Sequence, residues 1–568
     1  MPLNHRVSAR ERRWVWFFAA GVIVLTTLPY LVGFASQGKD WRFTGFVFGV
    51  EDGNSYIAKM LGGSAGNWLF RTPYTAEPQN GAWVYLPYVL LGKLAAPPAQ
   101  HEQLVALYHL FRFVAGILAI LATYDFLAIF LRNVTLRRIG LVLATVGGGL
   151  GWVLISLGQT TWLGSLPLEF YSPETFGFLA LYGLPHLALG RALLLWGFVR
   201  YLARLPEVSL GREVEKPGWR KFTWWIFSRD RHEGCMALQV GMCWLLIGFL
   251  QPLTVVVAWV VCLAYLISTG IGLVWLDRVN RGTNASIWWR TARRGPWAVL
   301  VSSPMVVYTL WVFQTDEILK TWASQNVITS PHPLHYLLAY GGLLPFALVG
   351  VQQGIMKKTW CSWLPLTWLF LFPFLAYAPF TLQRRLPEGV WVVIVALALM
   401  GVERCRSVRL FGVPLAKFFH WVLLPFLVST LLLLWGGMRT ASLPARPAFQ
   451  PIGQVEAFQF LAQEADPGSI VLAAYKTGNP LPAWVPVRVL IGHGPESVHL
   501  NELHPRVASF FRATATDAER LLLLAEYDVR YVFWGPAEWE LGEWNPNVAS
   551  FLRLVFQRGD YWVFEVVE

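Results

Sequence analysis

Two short runs of charge in this chain have the residue types and spacing for chemistry. Glu51-Asp52 follows the first long apolar run and precedes Ser55-Tyr56 by one helical turn. A carboxylate held in a cleft at a membrane boundary can act as a general base toward a hydroxyl. As a hard oxygen donor it can also hold a divalent cation. The plain alternative is a solvated loop pair, or an acid favoured at a helix N-terminus by the dipole. The second run is Arg384-Arg385, in the short loop PFTLQRRLPEG between two apolar runs. Arginine drawn toward a bilayer centre costs of order 2–3 kcal/mol, so a double cation there needs a reason. Adjacent guanidiniums suit a bidentate grip on a phosphate. The alternative is an ion pair with Glu388, or with a carboxylate of a long loop. Weaker candidates are Glu169, Glu174 and His186, which can line a cavity with Asp52 but as residue types are more often caps or helix-end groups. His332 and His335, in the run HPLH, lack a third ligand at defined spacing and make a weak metal signal.

The elements that must position these residues are set by composition. The chain has 568 residues, 55% hydrophobic and only 14% charged, where soluble domains carry roughly a quarter charged. That shortage excludes a soluble cytoplasmic enzyme, a disordered chain and a disulfide scaffold. The basic segment before Trp14 and the apolar run from Trp14 to Phe34 read as a signal anchor with a cytoplasmic N-terminus. Further apolar runs at about 104–131, 139–158, 179–199, 235–251, 253–276, 296–313, 335–352, 362–380, 389–402 and 414–436 bring the expected total to about 11 spans. The break within 235–276 is placed at Gln251-Pro252, because proline lacks the amide that would continue a helix. With this topology about 26 of the 46 Lys and Arg fall on the cytoplasmic side, in segments such as Arg200–Arg231 and Arg278–Arg294. The net charge of +12 is thereby accounted for without a nucleic-acid partner. Gly81–Ala95 is too short to span and reads as interfacial or re-entrant.

An odd number of spans leaves the last part of the chain outside. The expected organisation is a membrane domain over 1–436, with a large first exterior loop at 36–103, and an exterior α/β domain over 437–568. In the latter, Val455–Ala465 and Asp517–Glu526 read as helices, and Ser469–Ala474, Val487–Ile491, Val529–Trp534 and Tyr561–Val567 as strands. None of the five cysteines lies there, so no disulfide or cysteine metal site is available to it. The Asn-x-Ser/Thr matches at Asn133 and Asn284 fall in cytoplasmic loops and carry no glycosylation meaning.

Taken together, the acidic pair opening a large first loop, the many spans, the late Gln383-Arg384-Arg385 and the final α/β domain resemble the GT-C superfamily of polytopic glycosyltransferases. The wording GNWLFRTPYTAEP, LPHLALGRALLL and TGNPLPAWVPVRVLIGHGPES is similar to bacterial members of that superfamily. The resemblance implies a protein of the bacterial plasma membrane that moves a sugar from a polyprenyl-phosphate donor to an acceptor hydroxyl on the outer face, with inversion. It implies Asp52 as the base, with Glu51 adjacent, Arg384 and Arg385 on the donor phosphate, and Tyr56, Glu169, Glu174 and His186 as cavity, acceptor or metal residues. The acceptor class stays open among glycan, lipid and protein, and a divalent cation is a conceivable cofactor. The pair here is Glu-Asp, where Asp-Glu is common in protein mannosyltransferases, so both carboxylates stay candidates for the base. No Trp-Trp-Asp run is present, which disfavours en bloc transfer to asparagine. The competing readings are a surface-polysaccharide polymerase or ligase, and a non-enzymatic transporter or scaffold. Transporters usually carry their charge at the bilayer midplane, whereas these charges sit at the outer boundary.

Overall fold

An apolar run in a bilayer has no water to satisfy its backbone, so it closes its hydrogen bonds on itself as a helix. The computed structural model describes residues 7–203, 231–275, 281–357, 360–405, 409–410 and 412–567. Among these, five helices are long and apolar enough to cross a membrane: Ala9–Ser36, Gln100–Phe130, Pro252–Leu273, Trp288–Thr315 and Leu423–Ser442. A sixth candidate is the pair Pro333–Tyr340 and Leu344–Ile355, bent by 81° at its break. Other expected runs fold as shorter helices, including Val134–Val146, Trp363–Ala376 and Val390–Arg404. The 14 residues of Trp363–Ala376 reach only about 21 Å at a rise of ~1.5 Å, against a bilayer core of ~30 Å. The run expected at 179–199 divides into Gly177–Gly183 and Pro185–Leu202. The Gln251-Pro252 break is present, with one helix ending at Gly248 and the next beginning at Pro252. Of the expected basic segments Arg200–Arg231 and Arg278–Arg294, residues 204–230 and 278–280 lie outside the described residues.

The chain forms two compact units. The first comprises 1–24, 113–308 and 328–433, and the second 25–112, 309–327 and 434–568.

Among its described residues the first unit is mainly helical, with a small hairpin pairing Arg409–Leu410 and Val413–Pro414. Its central helix, Val390–Arg404, is buried from Val390 to Val402. Glycines let a neighbour approach it closely: a Cβ on Gly350 would collide with the Leu397 carbonyl, and one on Gly401 with the Phe346 carbonyl. Trp391 donates its indole N–H to Leu143 O at 2.9 Å, so this large side chain is buried without an orphaned donor. Several charges expected to serve topology alone also hold helices together. Arg137 meets Glu11 at 2.7 Å, with both side chains buried, and Arg12 meets Asp125 at 2.6 Å. Asn133 caps the Val134–Val146 helix through Thr135 N, a structural use of that residue.

The second unit carries a five-stranded mixed sheet. Its strands run in the order Arg488–Val489, Ile470–Leu472, Val529–Trp534, Tyr561–Val566, Leu552–Arg558. The first three are parallel and the remaining pairings antiparallel, with Val532 opposite Phe564. Leu472, Leu490, Val507, Phe510, Val532 and Phe564 form its core. The helix Asp517–Glu526 feeds Val529–Trp534 and opens with a capping box from Thr516 and Glu519. A separate two-stranded pairing of Trp41–Phe43 with Phe449–Pro451 ties the early segment of this unit to the late one. The helix Val50–Ser64 packs on the short helix Leu86–Gly92 through Gly63 and Gly92, each set directly on the other helix's backbone.

Candidate active site

In the second unit, Gly49 adopts φ 57° and turns the chain into the Val50–Ser64 helix. This left-handed conformation suits glycine. Glu51 and Asp52 then fall in the first turn, where the aligned amides favour negative charge. Asp52, Ser55 and Lys59 are spaced three and four apart and share one helix face. Against that face stands the turn Ile491–Ser497. His493 Nε2 lies 3.2 Å from Asp52 Oδ1, and His493 Nδ1 lies 3.4 Å from Glu496 Oε1. Glu496 is buried and accepts from Lys59 Nζ at 2.7 Å, Ser55 Oγ at 2.9 Å and Thr72 Oγ1 at 3.1 Å. Lys59 also bonds Ser55 Oγ and lies 4.6 Å from the centre of the Tyr85 ring. Burial alone pushes the Glu496 carboxyl up, but the Lys59 ammonium, His493 and the hydrogen bonds from Lys59 and Ser55 outweigh it and hold the group below the usual range.

The result is a gradient of exposure within one chain of contacts. The Asp52 side chain is 57% exposed, His493 11% and Glu496 3%. Asn54 donates to Asn479 Oδ1 at 2.8 Å, and Tyr74 OH donates to Asn479 O at 3.1 Å, bracing the same helix. Glu51 is exposed, and its carbonyl accepts from Asn479 Nδ2 at 3.4 Å. The Tyr56 ring lies 5.5 Å from Lys59 Nζ. It is buried and stacks on Tyr88 at 4.7 Å, in an aromatic cluster with Tyr108.

The remaining sequence candidates fall in the first unit. Gln383, Arg384 and Arg385 form a single 3-10 turn. Gln383 Oε1 accepts from Ser330 N at 3.2 Å, and Arg384 N donates to Ile328 O at 3.2 Å, fixing the turn. The Arg384 guanidinium lies 4.5 Å from the centre of the Tyr171 ring, a cation–π placement. Arg385 Nε is 3.8 Å from Glu174 Oε1, too long for a hydrogen bond. The Nε atoms of Arg384 and Arg385 are both buried without a hydrogen-bond partner, and so is Glu174 Oε2. Glu388, the expected plain partner of this arginine pair, is taken by Arg191. Arg191 Nε and Nη2 meet its two oxygens at 2.5 and 3.1 Å, and Nη2 also donates to Pro173 O at 2.7 Å.

Glu169 acts as a cap. Its Oε1 accepts from Gly151 N at 2.5 Å and Ser429 Oγ at 3.2 Å, and burial pushes its carboxyl up. His186 is buried in the first turn of Pro185–Leu202. His332 Nδ1 accepts from Leu334 N, and His335 Nε2 contacts Trp162 O at 2.7 Å, so neither ring is aimed at the other as a metal pair. Among the described residues no group of three or more His, Cys, Asp or Glu is placed to hold a metal ion. His493, Glu496 and Lys59 around Asp52 in the second unit, and Tyr171 beside Arg384 in the first, are residues that the sequence candidates omit. A signal was present for three of them: His493 and Glu496 stand three apart in HGPES, and Lys59 stands seven after Asp52.

No protein-family model matches the chain. No curated protein matches it either. Solved structures do match its fold. The oligosaccharyltransferase AglB from Archaeoglobus fulgidus, solved with an inhibitory peptide and a dolichol-phosphate, is 11% identical with a TM-score of 0.53, over 98% of this chain and 74% of that one. The arabinofuranosyltransferase AftD from Mycobacteria is 16% identical with a TM-score of 0.52, over 98% of this chain and 40% of that one.

Proposed function

We propose, from the GT-C fold that this chain shares with both enzymes, that it is a membrane glycosyltransferase using a polyprenyl-phosphate sugar donor. The acceptor is a hydroxyl of a glycan, lipid or protein on the outer face of a bacterial plasma membrane, with the N-terminus cytoplasmic and residues 437–568 outside. In the proposed step the acceptor oxygen bonds the anomeric carbon from the face opposite the leaving group. The bond from that carbon to the phosphate oxygen breaks, and its electron pair leaves on the phosphate. Inversion follows from this geometry. Asp52 takes the hydroxyl proton, and Arg384 and Arg385 bind the phosphate and its developing charge.

The observation that carries this reading is the pair of buried, unbonded Nε atoms on Arg384 and Arg385. Buried donors are ordinarily satisfied, and two adjacent guanidinium forks match a phosphate's oxygens. For the base, Asp52 combines exposure with a fixed partner, while Glu169 and Glu388 are buried and already bonded. The test is transfer from a panel of radiolabelled polyprenyl-phosphate pentoses and hexoses by the purified full chain. Asp52→Asn is expected to lower turnover by about 10²–10⁴-fold. Arg384→Ala is expected to weaken retention of polyprenyl phosphate as well as turnover. Full activity in both variants overturns the reading.

A further inference from the structure

Asp52 is a surface carboxylate attached to a buried apparatus. A side chain 57% exposed samples several rotamers unless something holds it, and misplacement of a reacting group by about 1 Å can cost on the order of 10²-fold in rate. The holder is visible. The backbone of the His493 turn is pinned from two directions: Gly492 N and His493 N donate to Ser497 Oγ at 3.0 and 3.1 Å, and Gly494 N donates to Tyr475 OH at 2.8 Å. The imidazole ring lies 5.4 Å from the Tyr74 ring. Its far nitrogen lies 3.4 Å from Glu496 Oε1 without a hydrogen bond, and Lys59, Ser55 and Thr72 hold that carboxylate from the other side.

We propose that His493 is the positioning residue for Asp52, donating Nε2–H to Oδ1, held in place by its pinned turn, with the buried carboxylate of Glu496 beside the ring. The inference rests on the reading of Asp52 as the base. When Asp52 receives the acceptor's proton, the Nε2–H bond keeps the carboxyl in register, and Glu496 steadies the partial positive charge on the ring. Glu496 itself is not a second base, since its two oxygens are occupied by three donors. The charged and titratable groups around the ring are Asp52, Glu51 and Lys59 from the Val50–Ser64 helix, Tyr74, Tyr475, and Glu496 from its own turn. A hydrogen bond to a carboxylate favours its ionised form, so losing the donor moves the acidic limb of the rate profile to higher pH.

The experiment measures kcat and acceptor KM against pH for the full chain carrying Asp52→Asn, His493→Gln or His493→Ala, with a thermal melt of each. His493→Gln, which keeps a donor at the ring's position, is expected to lower kcat about 10-fold. His493→Ala is expected to lower it about 10²-fold, with KM unchanged and the acidic limb shifted upward. Wild-type kcat and pH profile in both histidine variants, beside an inactive Asp52→Asn, overturn the positioning role and leave the base intact. Loss of activity in step with loss of the melt, with the pH profile unmoved, overturns it in favour of a purely structural histidine. Full activity in Asp52→Asn instead sinks the base assignment on which the inference rests.

Discussion

Arg191 and the pair Arg384-Arg385 lie in the same unit, and each is an arginine that an apolar chain has to justify. They differ in how far their hydrogen-bonding capacity is used. Arg191 is buried, forked onto Glu388 and bonded to a main-chain carbonyl. Arg384 rests on the face of Tyr171, Arg385 stands 3.8 Å from Glu174, and both keep a buried Nε without a partner. A closed pair of this kind serves the fold, and an open one is built for something that arrives. The lesson is that an unusual charge is a weak marker of function until its donors are counted.

That contrast can be broken by experiment. Arg191→Ala leaves Glu388 as an uncompensated buried charge, and the expected loss is about 3–5 kcal/mol of stability, read as a lowered melt or failed extraction from the membrane. Arg384→Ala is expected to remove about 3–4 kcal/mol of transition-state stabilisation, a 10²–10³-fold loss in turnover, with a melt close to wild type. If the two variants exchange phenotypes, the contrast is wrong.

A buried carboxylate lacking a guanidinium sharpens it further. Glu538 in the second unit accepts from Ala474 N at 2.9 Å and leaves Oε2 without a partner, and burial pushes its carboxyl from 4.5 up to about 7. Between those values the folded chain keeps a proton that the unfolded chain has released. Stability therefore falls as pH rises through this window, by up to about 3 kcal/mol. Glu538→Gln is expected to flatten the dependence, measured by denaturant titration at pH 5, 6, 7 and 8. The smallest effect belongs to the surface capping box: Thr516→Ala is expected to cost about 1 kcal/mol, with turnover unchanged. That variant sets the scale for a purely local contribution.

The helix Asp517–Glu526 and the strand Val529–Trp534 lie at the residues where the pattern in the chain places them. The helix break at Pro252 does too. Their causes are local: a threonine three residues before a glutamate, alternating apolar side chains, a missing amide. The apolar runs were legible as helices for the same reason, whereas their ends were less so, because Leu184-Pro185 and the caps shorten them below what hydropathy alone suggests. Glu51-Asp52 in the second unit and Arg384-Arg385 in the first were legible as unusual residues, while the roles of their neighbours were not.

Local pattern makes the chain an apolar, mainly helical protein and sets where its two conspicuous charge pairs stand. Their partners are chosen by packing. Glu388 is three residues from Arg385 in the chain but belongs to Arg191, and Asp52 meets a histidine 441 residues away. Periodicity and capping act over one or two helical turns, so they are written in neighbouring residues. Ion-pair choice depends on which side chains packing brings within about 4 Å and away from water, and no local pattern encodes that.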